Sequence, residues 1–151
     1  MIDTTKSNSE EQRSIENYVI REIERILGCP LERNVSAQLT DDIYINPDFY
    51  SNDHTIVGEI YAHVGALKVG QKRKISQDIL KLLLLDKSKD MSYRKIITIV
   101  DDTVEKYLKG KSFIAESIRQ FGIEIIRINL PDELYCKIQN AQSRQNLINN
   151  G

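Results

Sequence analysis

Residues 44–74 read YINPDFYSNDHTIVGEIYAHVGALKVGQKRK, and the fold turns on reading this stretch as a β-hairpin that runs into a helix. Ser51-Asn52-Asp53-His54 is rich in turn formers and is flanked by β-branched and aromatic residues, the pattern of a hairpin connection. Pairing Tyr50 with Thr55 across that turn sets Asp48 opposite Val57 and Asn46 opposite Glu59. Side chains alternate faces along a strand, so Asp48 and Glu59 then share a face as diagonal neighbours, with Cα atoms about 7–8 Å apart. In this register Ile43, Ile45 and Phe49 share one face with Ile56, Ile60, Ala62 and Val64. Tyr44, Asn46, Asp48 and Tyr50 share the other with Val57, Glu59, Tyr61 and His63. A slip of one residue would mix the two sets, which favours the register. The acids fall on the wetter face of a half-buried hairpin, where they could hold one hard cation between them.

Beyond the second arm, Gly65 to Gly70 reads as a flexible join into a helix of about Gln71 to Lys87. Its core stripe is Ile75, Ile79, Leu82 and Leu83, and Leu80 and Leu84 widen it enough to suggest burial on more than one side. Carried back one turn, the stripe passes through Gln71 and Lys72, and through Lys68 if the helix starts early, whereas Lys74 lies about 100° away. The start of this helix also offers backbone N–H groups to an anion.

Upstream, Ile15, Val19, Ile23, Ile26 and Leu27 recur at helical spacing from about Glu10 and stop at Gly28-Cys29-Pro30. Glu16 falls inside that stripe and Glu22 at its edge. A carboxylate on a core-facing stripe needs a metal, water or an arginine, since burying it bare is costly. Residues 31–42 form a connector. Downstream, Tyr93 to Val100 is a nearly continuous apolar strand suited to a central position. Asp101-Asp102-Thr103 caps a helix around Val104 to Leu108, Ser112 to Phe121 forms another, and Ile123 to Asn129 is a further strand. Pro131-Asp132-Glu133 starts a last helix that fades into the polar tail QNLINNG. This order predicts an α/β sandwich around a mixed sheet.

With 151 residues, 40% of them hydrophobic, the chain suits one globular domain over residues 10–151, preceded by a polar, disordered segment, residues 1–9. The longest apolar run, Ile79 to Leu85, is interrupted by Lys81 and falls far short of the roughly 20 residues that span a bilayer. The polar start lacks the basic-then-apolar order of a secretory signal, so a cytoplasmic protein with no membrane partner is expected. Cys29 and Cys136 lie far apart without metal-ligand spacing and read as free thiols. A net charge of −1 argues against coating nucleic acid by bulk electrostatics. The charge is uneven, however: residues 1–64 hold 5 Lys/Arg against 12 Asp/Glu, and residues 65–95 hold 9 against 3. The basic block is either a solvated helix face or a phosphate-binding surface.

Pro47-Asp48, ten further residues and then Glu59-Ile60-Tyr61, on a hairpin between two helices, resembles the PD-(D/E)XK nuclease superfamily. The likeness in element order covers about residues 10–130, while the residue match itself is short. It implies a restriction endonuclease-like three-layer α/β core with a mixed central β-sheet flanked by helices. It further implies that Asp48 and Glu59 bind Mg²⁺ or Mn²⁺, that Ile60 lends its carbonyl, and that Glu16 on the first helix joins them. The motif lysine is replaced by Tyr61, whose hydroxyl can orient water but carries no fixed positive charge. In some members that lysine reaches in from a neighbouring helix, a role that Lys72 fits best and Lys68 next. Gln71, Lys72, Tyr61 and His63 are the corresponding substrate contacts. The implied activity is hydrolysis of phosphodiester bonds in DNA, with RNA second, by a homodimer or a subunit of a larger assembly. The lost lysine leaves an alternative: an inactive nucleic-acid-binding or protein-interaction module of the same fold.

Overall fold

The computed structural model describes residues 4–150, with side chains for residues 10–148. Helix α1 (Thr4–Leu27) buries Ile15, Val19, Ile20 and Ile23. It ends where Gly28 turns left-handed, at φ 71°, and donates its N–H to Glu24 O at 2.8 Å. Of the segment set apart as residues 1–9, residues 1–3 lie outside the described residues and Thr4 to Ser9 already belong to α1.

The central sheet has five strands in the order β1 (Leu31–Glu32), β4 (Phe49–Ser51), β5 (Ile56–Tyr61), β6 (Arg94–Ile99) and β7 (Glu124–Arg127). β1, β4 and β5 are antiparallel neighbours, and β5, β6 and β7 run parallel. Two short strands, β2 (Ala37–Gln38) and β3 (Tyr44–Ile45), pair with each other outside it. Helix α2 (Val69–Lys89) makes the crossover from β5 to β6. It packs Ile75, Ile79, Leu82 and Leu85 on Tyr50, Val57, Tyr61, Ile97 and Ile99, together with side chains of α3 (Asp102–Leu108) and α4 (Phe113–Gln120). On the opposite face, α1 and α5 (Asp132–Asn150) cover Phe49, Ile96 and Val100. The result is the expected three-layer α/β core, a mixed sheet between helices. Among the described residues no helix is long and apolar enough to cross a membrane, and Cys29 and Cys136 are free.

Several details differ from the sequence reading. The face that carries Glu59 is not the wetter one: α2 covers it, leaving Val57 fully buried and Glu59 4% exposed. The hairpin register is Tyr50 with Val57 and Phe49 with Gly58, two residues away from the expected pairing. Its loop is longer because Ser51 Oγ accepts from Thr55 N and Ile56 N, and Asp53 accepts from Thr55 N and Oγ1. Because the shift is even, the side chains of β4 and β5 keep their faces. The first arm is also broken. Asn46-Pro47 interrupts it, a proline having no N–H for the ladder, so Ile45 pairs in the small sheet and packs with the α2 cluster, away from Phe49. Leu80 and Leu84 lie on the exposed side of α2, so its burial is one-sided. The connector 31–42 holds β1 and β2, each only two residues long, and α5 runs on through the polar tail to Asn150.

Asp101, buried at the end of β6, ties three elements together. Its carboxylate accepts from Thr103 N and Val104 N at the start of α3, from Gly65 N after β5, and from the Tyr135 hydroxyl of α5.

Candidate functional site

Because β4 begins only at Phe49, β5 has no antiparallel neighbour beyond Gly58 among the described residues. Asp48 stands at that break, and its Oδ2 accepts the Ile60 N–H at 2.7 Å. Continuing the Phe49–Gly58 pairing by one residue sets Asp48 directly opposite Glu59, closer than the diagonal expected. Glu59 Oε1 is buried without a hydrogen-bond partner among the described residues. Burial pushes the Glu59 carboxyl up to about 9, reinforced by the negative charge of Asp48 and by a hydrogen bond with Asp48 that favours the protonated form. Asp78 adds to the rise and Lys81 opposes it. The N–H and C=O of a strand residue point to the same side, so the Ile60 carbonyl faces the edge at which Asp48 sits.

Glu16 and Ile60 line two adjoining cavities. The smaller, of about 210 Å³, also meets Asp48, Asn46 and Arg33. The larger, of about 570 Å³, meets Tyr61, His63, Gln71 and Lys74 and is walled by α5. Glu16 thus reaches the acidic pair's edge from α1, but its carboxylate is already engaged, by Arg33 at 2.8 Å and Gln12 at 3.2 Å. Glu22 pairs with Arg25 on the same helix.

The basic residues are distributed differently from the wheel. Lys72 holds its ammonium 4.9 Å from the centre of the Tyr107 ring, and Lys68 Nζ donates to Asn146 Oδ1 of α5 at 2.6 Å. Gln71 accepts from Lys68 N at 2.7 Å and meets His63 Nδ1 at 3.2 Å. His63 Nε2 lies 3.4 Å from Ala66 O, so a neutral ring protonated on Nε2 satisfies both contacts. Burial accordingly lowers the His63 pKa. The Tyr61 hydroxyl is buried without a partner among the described residues and is pushed up to about 12, by burial and then by the charge of Asp78. It therefore stays neutral.

The residue that sequence reasoning missed is Asp78, which is 5% exposed on the inner face of α2. Its Oδ2 lies 3.3 Å from Lys74 Nζ and its Oδ1 3.7 Å from Lys81 Nζ. The signal was present: Asp78 stands three residues after Ile75 and next to Ile79, an acid on a core stripe like Glu16. Lys74, about 100° off that stripe, reaches the cavity through the length of its side chain.

Among the described residues, no group of three or more His, Cys, Asp or Glu is gathered to hold a metal ion. A cation here would rest on two carboxylates, a set that suits Mg²⁺, which keeps several waters and completes its shell with substrate phosphate. The unpartnered Glu59 oxygen and the edge-facing Ile60 carbonyl fit that donor set. No protein-family model matches the chain, and no curated protein matches it.

Proposed function

We propose that this protein is a metal-dependent nuclease of PD-(D/E)XK type that hydrolyses phosphodiester bonds of DNA, with RNA as the second candidate. Mg²⁺ or Mn²⁺ is held by Asp48 and Glu59. One observation carries the reading: the carboxyl groups of Asp48, just before β4, and of Glu59, on β5, meet at an open strand edge, and Glu59 is buried with an oxygen left unpartnered among the described residues. Packing alone gains nothing from an acid there, because an uncompensated buried carboxyl is costly. The element order supports the same reading, with a helix, an antiparallel meander, a crossover helix and a parallel strand in sequence.

When bound, the divalent ion supplies an acidified water and offsets charge on the scissile phosphate. Asp48 is oriented by the Ile60 N–H, and Glu59 would hold the cation in its ionised form, which burial and Asp48 disfavour until a positive charge is present. The Ile60 carbonyl and Glu16 border the same space. Gln71, in the first turn of α2, and His63, after β5, line the larger cavity and face the nucleic-acid backbone, while Lys68 and Lys72 add positive charge beside it. The nearly neutral chain draws on a second copy or a larger cytoplasmic assembly for the rest of its grip on DNA.

A second reading, a binding module without catalysis, is favoured by Lys72 lying on Tyr107 and Lys68 on Asn146. Incubation of supercoiled plasmid with Mg²⁺ or Mn²⁺ separates the two. Nicking that is lost in Asp48→Ala and in Glu59→Ala supports the nuclease. Nicking that survives both substitutions refutes it, and DNA retention without nicking selects the module.

A further inference from the structure

Asp78 is an expensive residue where it stands. Its side chain is 6% exposed, on the α2 face that covers β5, whereas its partner Lys74 is 57% exposed. A buried carboxylate needs partners, and Asp78 finds them in two lysines that reach in from the outer part of the helix, Lys74 at 3.3 Å and Lys81 at 3.7 Å. Its charge also acts against both Glu59 and Tyr61, its neighbours on the sheet. What the carboxylate achieves is geometric: it draws Lys74 inward, to the wall of the cavity that Glu16, Ile60 and Tyr61 line. Lys81 sits against its other oxygen.

We infer that Asp78 is a positioning residue that holds the Lys74 ammonium at the cavity wall, where Lys74 contacts the phosphate of a bound nucleic-acid strand. This rests on the nuclease reading of the same site. Lys74 provides three donors and a full positive charge on a stem anchored one helical turn from Asp78, an arrangement suited to a phosphate oxygen. Asp78 touches no substrate itself and acts through Lys74.

The test uses the full chain with supercoiled plasmid in Mg²⁺ under single-turnover conditions, and Mn²⁺ binding by calorimetry. Lys74→Met, at an exposed position, and Asp78→Asn should each slow nicking by about 100-fold, as expected for losing one group that stabilises transition-state charge. Mn²⁺ affinity should stay within about 3-fold in Lys74→Met, since Asp48 and Glu59 are intact, and should not fall in Asp78→Asn, which removes a charge that acts against Glu59. Lys74→Arg should restore most of the rate. The double variant should be no slower than either single one, because coupled residues are non-additive. Nicking within about 3-fold of wild type in Lys74→Met, with Asp48→Ala inactive, overturns this inference and leaves the nuclease reading standing. Independent, additive losses overturn the link between Asp78 and Lys74. A wild-type protein that does not nick plasmid overturns both.

Discussion

Replacing Glu59 by Gln stabilises the metal-free protein, and by more as the pH rises. Burial and the neighbouring Asp48 push the Glu59 carboxyl up to about 9 in the folded chain, from an ordinary value of 4.5. Above pH 4.5 the unfolded chain releases a proton that the native state keeps. The stability due to this group is therefore complete below about pH 4.5 and is lost as the pH climbs towards 9. Each pH unit in that window is worth about 1.4 kcal/mol, so between pH 5 and pH 8 the wild type loses on the order of 4 kcal/mol through this one group. Gln matches the protonated acid in shape, offers an N–H to Asp48, and has no proton to lose. Urea unfolding at pH 5, 6.5 and 8 should give a stability gap that widens with pH. At pH 8 the gap should reach a few kcal/mol, or on the order of 10 °C in Tm for a domain of this size. Mg²⁺ should narrow it by stabilising only the wild type. A gap that stays within about 0.5 kcal/mol at every pH, the range of an ordinary surface substitution, would refute the protonated, buried Glu59 on which the site rests.

Two further substitutions probe the scaffold. A Cβ on Gly58 would sit 2.0 Å from Cζ of Phe49, whose ring is fully buried against it. Gly58→Ala should therefore cost about 3 kcal/mol, the upper end for overpacking, read as a lowered urea midpoint; an unchanged midpoint would mean that the ring has room to move. Asp101→Ala removes the acceptor for three backbone N–H groups and the Tyr135 hydroxyl. Losing the α3 cap and leaving donors unpaired should together cost about 3 kcal/mol, and a loss below about 0.5 kcal/mol would contradict its role as a hub.

The long elements were legible because their periodicity is strong: α2, β6 and the capped α3 stand within a few residues of where the sequence puts them. The two-residue strands β1, β2 and β3 carry too few residues for any period to register. Asp48 and Glu59 were legible as neighbours because the turn folds the two arms against each other, and the two-residue shift in register left them within reach of one another. Their burial was not, since alternation along β5 cannot tell whether a helix covers the second face. Lys72 was placed by a wheel that knows angles but not neighbours, and the Tyr107 ring that holds it arrives from α3, about 35 residues further on. Asp78 was legible in principle, by the same argument that singled out Glu16.

The most direct measurement is Mg²⁺-dependent nicking of supercoiled plasmid by the wild type beside Asp48→Ala and Glu59→Ala, each checked for folding by circular dichroism. The account predicts nicking by the wild type that EDTA abolishes, and none by either folded variant. Equal nicking by all three proteins, or none by the wild type in Mg²⁺ or Mn²⁺, would contradict it.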